Sequence, residues 1–193
     1  MQIMESYRIR CRYRKTGDAR FISGRNIQKI FERILRRADV PLRFTEGFSP
    51  HPRMSFGAPL PVNVTGTNEY FDFYATEKFD PDILSARMNS FSPEGIIFRS
   101  VKFQVEEPGR PGGSDIFAVY QIRHKSLDRS LLESFGRIED AGPGHADILV
   151  RVNNFSHKAM LSLLCEGKIT CINREILDMD TGEYERHIQD IDK

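Results

Sequence analysis

The sequence predicts an α+β chain of two units, the first in the order strand, helix, strand, strand, helix, strand. Three observations carry this. Residues 6–14 alternate strictly, with Arg8, Arg10, Arg12 and Arg14 set between Tyr7, Ile9, Cys11 and Tyr13. Residues 24–38 change period, placing Ile27, Ile30, Phe31, Ile34, Leu35 and Ala38 on one helical stripe. Residues 69–76 return to alternation, with Phe71, Phe73 and Ala75 on one side and Tyr70, Asp72 and Tyr74 on the other. That order is the split pattern of a ferredoxin-like unit, whose helices cover one face of a sheet and leave the other open.

The elements follow in turn. The first strand ends at a turn, Lys15-Thr16-Gly17-Asp18. Ser23 is placed to cap the helix and Pro41 limits its end. A short strand is expected near Leu42-Arg43-Phe44, and then a long irregular loop over 45–66, with four prolines and three glycines. Phe48, Met54, Phe56 and Leu60 are expected to anchor that loop to the body. Asp80-Pro81 opens a second helix with Ile83, Leu84, Met88 and Phe91 inward. Residues 96–105 form the fourth strand, with Ile97, Val101, Phe103 and Val105 inward and Phe98 outward. This first domain covers 1–105, and 106–115 is a linker by its glycines and prolines. The same order recurs more weakly in a smaller, acidic domain over 116–193. It has strands at 116–124, near Ile138, at 146–152 and at 168–173, helices at 126–136 and 156–165, and an acidic tail from Arg174.

Composition narrows the function classes. Of 193 residues, 39% are hydrophobic, with fourteen phenylalanines and no tryptophan, which is enough for a core. No apolar run approaches the roughly 20 residues that cross a bilayer. Cys11, Cys165 and Cys171 are odd in number and not compactly spaced, which points to buried thiols in a reducing cytoplasm and to no metal site. The net charge of +1 hides a split. Residues 1–60 hold 13 Lys or Arg against 5 Asp or Glu, and residues 61–193 hold 15 against 22. The first part suits a polyanion.

Two candidate sites follow. The open sheet face collects Arg8, Arg10, Arg12, Arg14, Tyr70, Tyr74, Phe98 and Lys102, and the helix adds Arg25, Lys29 and Arg33, with Arg53 from the loop. Cations interleaved with rings are what single-stranded RNA needs, since guanidinium groups take phosphates and rings stack on bases. The alternatives are that this face is covered by the second domain, with Asp147, Glu139 and Asp140 as neutralising acids, that Asp72 pairs with an arginine, or that the face stays unoccupied. The second candidate site is the loop. Pro50 and Pro52 stiffen the chain around His51, with Gly47, Phe48, Ser49, Arg53 and Ser55 beside it, and Ser23 and Asn26 at the helix start. A stiffly held histidine serves as general base, phosphate donor or metal ligand, or is simply packed against Phe48 and bonded to backbone. Catalysis needs a second group, and Ser23, Asn26, Arg53, Tyr70 and His157 are the available ones. No glycine-rich nucleotide fingerprint is present, and no cofactor is expected.

Thr16-Gly17-Asp18-Ala19-Arg20-Phe21-Ile22-Ser23, Leu35-Arg36-Arg37-Ala38, the run from Gly47 to Gly57 and Pro59-Leu60-Pro61-Val62 resemble the radical-SAM-linked family of unknown function, over residues 7–105. The resemblance implies a domain fused to, or encoded beside, a radical SAM protein with a cobalamin-binding region, and in some members beside an RNA-processing nuclease. Gly24 stands where that family has a histidine, and Asn26 where it has an aspartate. The radical SAM cysteine triplet is absent from this chain. These residues together lead to the expectation of a non-catalytic module that recognises RNA, with tRNA as one candidate, for a radical SAM partner. The alternatives are an RNA-processing or RNA-modifying enzyme using His51, and a protein-interaction scaffold without nucleic acid.

Overall fold

A computed structural model describes residues 6–104, 116–152 and 155–177. The fold is α+β, and the chain divides into two units. The first is Met1–Val62 with Glu69–Pro111, and the second is Asn63–Asn68 with Gly112–Lys193.

In the first unit, β1 (Tyr7–Lys15) leads through a 3-10 turn (Gly17–Phe21) into α1 (Gly24–Arg37), then β2 (Met54–Phe56), β3 (Thr65–Ala75), α2 (Pro81–Ser90) and β4 (Ile96–Gln104). The sheet order is β4-β1-β3-β2, and β1–β4 and β2–β3 pair antiparallel. Alternation in β1 sends Ile9, Cys11 and Tyr13 into the core and the four arginines to the opposite face. Phe31 of α1 fills the centre, with its ring 4.8 Å from Tyr13, 4.7 Å from Phe71 and 5.1 Å from Phe98. Helix starts obey their caps. The Ser23 hydroxyl accepts from the N–H of Asn26, and the Asp80 carboxylate accepts from those of Asp82 and Ile83. Gly95 turns the chain into β4 at φ +83°, where a Cβ would lie 2.3 Å from the Thr16 carbonyl oxygen.

The fourth strand differs from its expected register. A bulge pairs Arg12 with Ser100 but Tyr13 with Phe98, so Arg99 is the extra residue. Phe98 is therefore buried in the core and not on the outer face, and Ile97 is 47% exposed. Val105 lies outside the described residues. On α2 the buried stripe is Leu84 and Met88, while Ile83 is exposed. The segment near Leu42-Arg43-Phe44 makes only isolated bridges, Leu42 to Ala75 and Phe44 to Pro52, and β2 forms later, inside the stretch read as irregular.

The second unit adds β5 (Phe117–His124), α3 (Arg129–Glu133), β6 (Arg137–Gly142), β7 (His145–Arg151), α4 (His157–Cys165) and β8 (Ile169–Ile176). Its order is β8-β5-β7-β6, and each of those neighbouring pairs is antiparallel. Thr65 and Gly66, at the start of β3, belong to this second unit and pair parallel with Asn173 and Arg174 of β8, which makes the sheet mixed. Arg174, read from sequence as the start of a tail, is instead a wholly buried residue of that strand. The segment 106–115 and the tail beyond residue 177 lie outside the described residues. Among the described residues no helix is long and apolar enough to cross a membrane.

Candidate nucleic-acid interface

The arginine row on β1 does not act as one group. Asp72 of β3 is wholly buried, and two arginines hold it. Arg8 donates to Asp72 Oδ2 through Nε at 3.0 Å and Nη2 at 2.6 Å. Arg10 donates to Oδ1 through Nε at 2.8 Å and to Oδ2 through Nη2 at 3.1 Å. The Arg8 side chain is only 11% exposed and that of Arg10 only 24%. These two guanidiniums are a structural clamp on a buried carboxylate, with the charge-assisted, forked geometry that makes such bonds strong.

Further along the strand the partners change. Arg10 also lies 4.4 Å from the centre of the Tyr70 ring, and Arg12 lies 5.8 Å from it. Burial pushes the Tyr70 hydroxyl up, against the lowering effect of the Arg10 charge. Arg14 pairs opposite Ile97, and its buried Nε meets no acceptor among the described residues. Lys102 pairs with Arg10 across β4 and is exposed. Glu139 and Asp140, considered as neutralisers of this face, are bonded within their own unit to Arg137 at 2.6 Å and His145 at 3.1 Å.

The outer face of α1 is the more accessible basic surface. Arg25, Lys29 and Arg33 stand one helical turn apart and are all exposed, and no ion pair is formed by any of them among the described residues. Arg36 by contrast is bonded to Glu32 at 2.8 Å and lies 5.1 Å over Phe44. Phe44 opens the loop that the sequence singles out, and that loop is a hairpin arm. Thr45 N–H donates to the His51 carbonyl at 2.8 Å, His51 N–H donates to Thr45 Oγ1 at 3.1 Å, and Arg53 N–H donates to the Arg43 carbonyl at 2.7 Å. Gly47 turns the tip at φ 121°. Met54 and Phe56 pack on the core and Leu60 is buried, as anchors should be. Phe48 is not an anchor: it is fully exposed at the tip. The guanidinium of Arg53 lies 4.1 Å over the ring of Tyr74, and Ser55 sits opposite Asp72.

His51 is exposed and does not pack on Phe48. Its ring contacts Ser49 Oγ at 3.4 Å, and no carboxylate, Ser23, Asn26, Arg53, Tyr70 or His157 bond to it is formed among the described residues. In the second unit His157 bonds instead to the Tyr120 hydroxyl at 2.7 Å. Among the described residues no group of three metal-ligating side chains forms. Cys11 is buried, whereas Cys165 and Cys171 are exposed and not the buried thiols expected.

Sequence reasoning missed Lys15 and Glu69. Both are almost completely buried, and both line one cavity of the first unit with Tyr13, Tyr70 and Gln28. The signal was present. Extending the inward register Ile9, Cys11, Tyr13 by one step reaches Lys15, and stepping back from Phe71 on β3 reaches Glu69.

No curated protein matches the chain. Residues 8–135 match the model of a family described as an uncharacterized protein conserved in bacteria (DUF2344). That span takes in β1 from Arg8 onward, α1, the hairpin arm and the strands and helix that follow in the first unit, and over so large a part of its length the chain belongs to this family.

Proposed function

We propose that the chain is a non-catalytic RNA-recognition module built from two ferredoxin-like units, working with a radical SAM protein. The element order and the sheet orders, fourth-first-third-second in both units, support the ferredoxin-like reading. The observation that carries the RNA reading is the row Arg25, Lys29 and Arg33. Three exposed cations spaced by single turns, with no carboxylate on them among the described residues, present a line of charge to a phosphate backbone. Phe48, Arg36 over Phe44 and Arg53 over Tyr74 add rings and guanidinium planes for unstacked bases. The radical SAM partner rests on the likeness of the loop and turn motifs.

Binding of single-stranded RNA and of tRNA, followed by fluorescence anisotropy over a range of salt, tests the proposal. Affinity should fall steeply with salt and drop when Arg25, Lys29 and Arg33 are replaced by alanine. Absence of salt-dependent binding, with copurification of a protein partner instead, would turn the reading to a scaffold. RNA cleavage or modification that disappears in His51→Ala would turn it to an enzyme.

A further inference from the structure

Leu177 is the last described residue of the second unit, and its N–H donates to the Phe117 carbonyl at 3.0 Å. Phe117 opens β5, pairs with Arg151 of β7 and lines a cavity of about 230 Å³. Phe135, Leu149, Val150 and Phe155 continue its apolar wall, with the Phe135 and Phe155 ring centres 6.2 Å apart. Arg137 and Arg151 border it. Arg151 lies 5.4 Å from the centre of the Phe117 ring. Arg137 gives its Nε to Glu139, and its terminal nitrogens form no bond among the described residues. Ordinary small-molecule pockets hold roughly 300–1,000 Å³, so this one suits a side chain better than a ligand.

We propose that the carboxyl-terminal tail, residues 178–193, seats on this cavity, with the Tyr184 ring inside it and Glu183 and Glu185 against Arg137 and Arg151. The first support is where the described chain ends. Tyr184 lies seven residues beyond Leu177. Seven extended residues reach about 23 Å, which exceeds the two strand spacings of about 4.8 Å between β8 and β7. The second support is charge. Residues 178–193 hold six Asp or Glu against two Lys or Arg, and the cavity's rim carries two guanidiniums. The third is the anchor. Tyr184 is the aromatic residue of the tail, and a tyrosine buries its ring while its hydroxyl stays at the wet mouth.

The other segment that leads to Phe117, residues 106–115, offers no such anchor. It has no aromatic side chain and no aliphatic one apart from its prolines. The tail is also tethered to the unit it covers. A short tether supplies an effective concentration on the order of millimolar, so a contact too weak to hold a free peptide still seats the tail. The inference does not depend on the RNA reading.

Fluorescence tests it, because the chain contains no tryptophan. Tyr184→Trp in the full-length protein provides a single indole. Its emission should lie to the blue of the isolated peptide 178–193 carrying the same change. It should also be quenched less by acrylamide, at every protein concentration. Glu183→Lys with Glu185→Lys leaves the body of the unit untouched and should move the emission to that of the peptide. Adding Arg137→Glu should bring part of the blue shift back. Emission equal to the peptide's from the outset overturns the proposal. A blue shift that fades on dilution puts the ring in a second copy and overturns it too. A blue shift indifferent to the charge changes overturns the seat beside Arg137 and Arg151.

Discussion

Arg8 reaches across from β1 to bond the wholly buried carboxylate of Asp72 at 2.6 Å, and Arg10 bonds the same group from the next outward position. A single acid thus absorbs half of the arginine row. Asp72→Asn keeps the shape but leaves two largely buried guanidiniums without their counter-charge. Breaking a buried pair from one side typically costs about 3–5 kcal/mol. Urea unfolding of Asp72→Asn should show a loss of that order, and a loss under about 1 kcal/mol would mean that solvent already screens the clamp. The same geometry makes Arg8→Ala a stability variant first and an RNA-binding variant only second.

Phe48 presents the opposite case. It is fully exposed at the tip of the hairpin arm and supports nothing beneath it. Phe48→Ala should leave stability within about 0.5 kcal/mol. If the ring stacks on a base, RNA affinity should drop by about 1–3 kcal/mol in the same variant. Equal affinities for wild type and Phe48→Ala would remove the arm from the interface.

Much of the first unit is legible in its alternation because period 2 fixes which side each residue takes. The arginines of β1 and Phe71 and Phe73 of β3 fall where the pattern puts them. The pattern fails at Arg99, because one inserted residue reverses every side chain beyond it and no local composition marks the spot. It also misled at Phe48, where hydrophobicity reads as an anchor although hairpin closure by Thr45 and His51 lifts the tip away. Asp72 was visible as a possible partner for one arginine. That it takes two follows from cross-strand placement of β1 beside β3, which depends on pairing between distant segments.

The helix row is testable through salt. Each phosphate neutralised on a single strand contributes about 0.7 to the slope of log K against log salt. If Arg25, Lys29 and Arg33 each take one, the triple alanine variant should lower that slope by about 2 while the melting temperature barely moves, since all three side chains are exposed. An unchanged slope would place the phosphates elsewhere, with Arg12, Arg14 and Lys102 as the next residues to replace.

His157 ties pH to the second unit. Its ring is half-buried at the start of α4, with Nε2 2.7 Å from the Tyr120 hydroxyl and Phe155 edge-on at 4.9 Å. Burial, and then the charge of buried Arg174, lower its pKa from 6.5 to about 4. The unfolded chain therefore takes up a proton near pH 6.5 that the folded unit refuses until about pH 4. Proton uptake by the unfolded state favours unfolding, so this contribution to stability is intact above pH 6.5 and is lost progressively as pH falls toward 4. Thermal unfolding followed from pH 7.5 to 4 should show the second unit weakening over that window, and His157→Gln should flatten that part of the profile. Tyr120→Phe removes the bond to the ring and should cost about 1 kcal/mol at neutral pH. A wild-type profile no steeper than that of His157→Gln between pH 6.5 and 4 would show that the imidazole titrates in the folded unit much as it does in the unfolded chain.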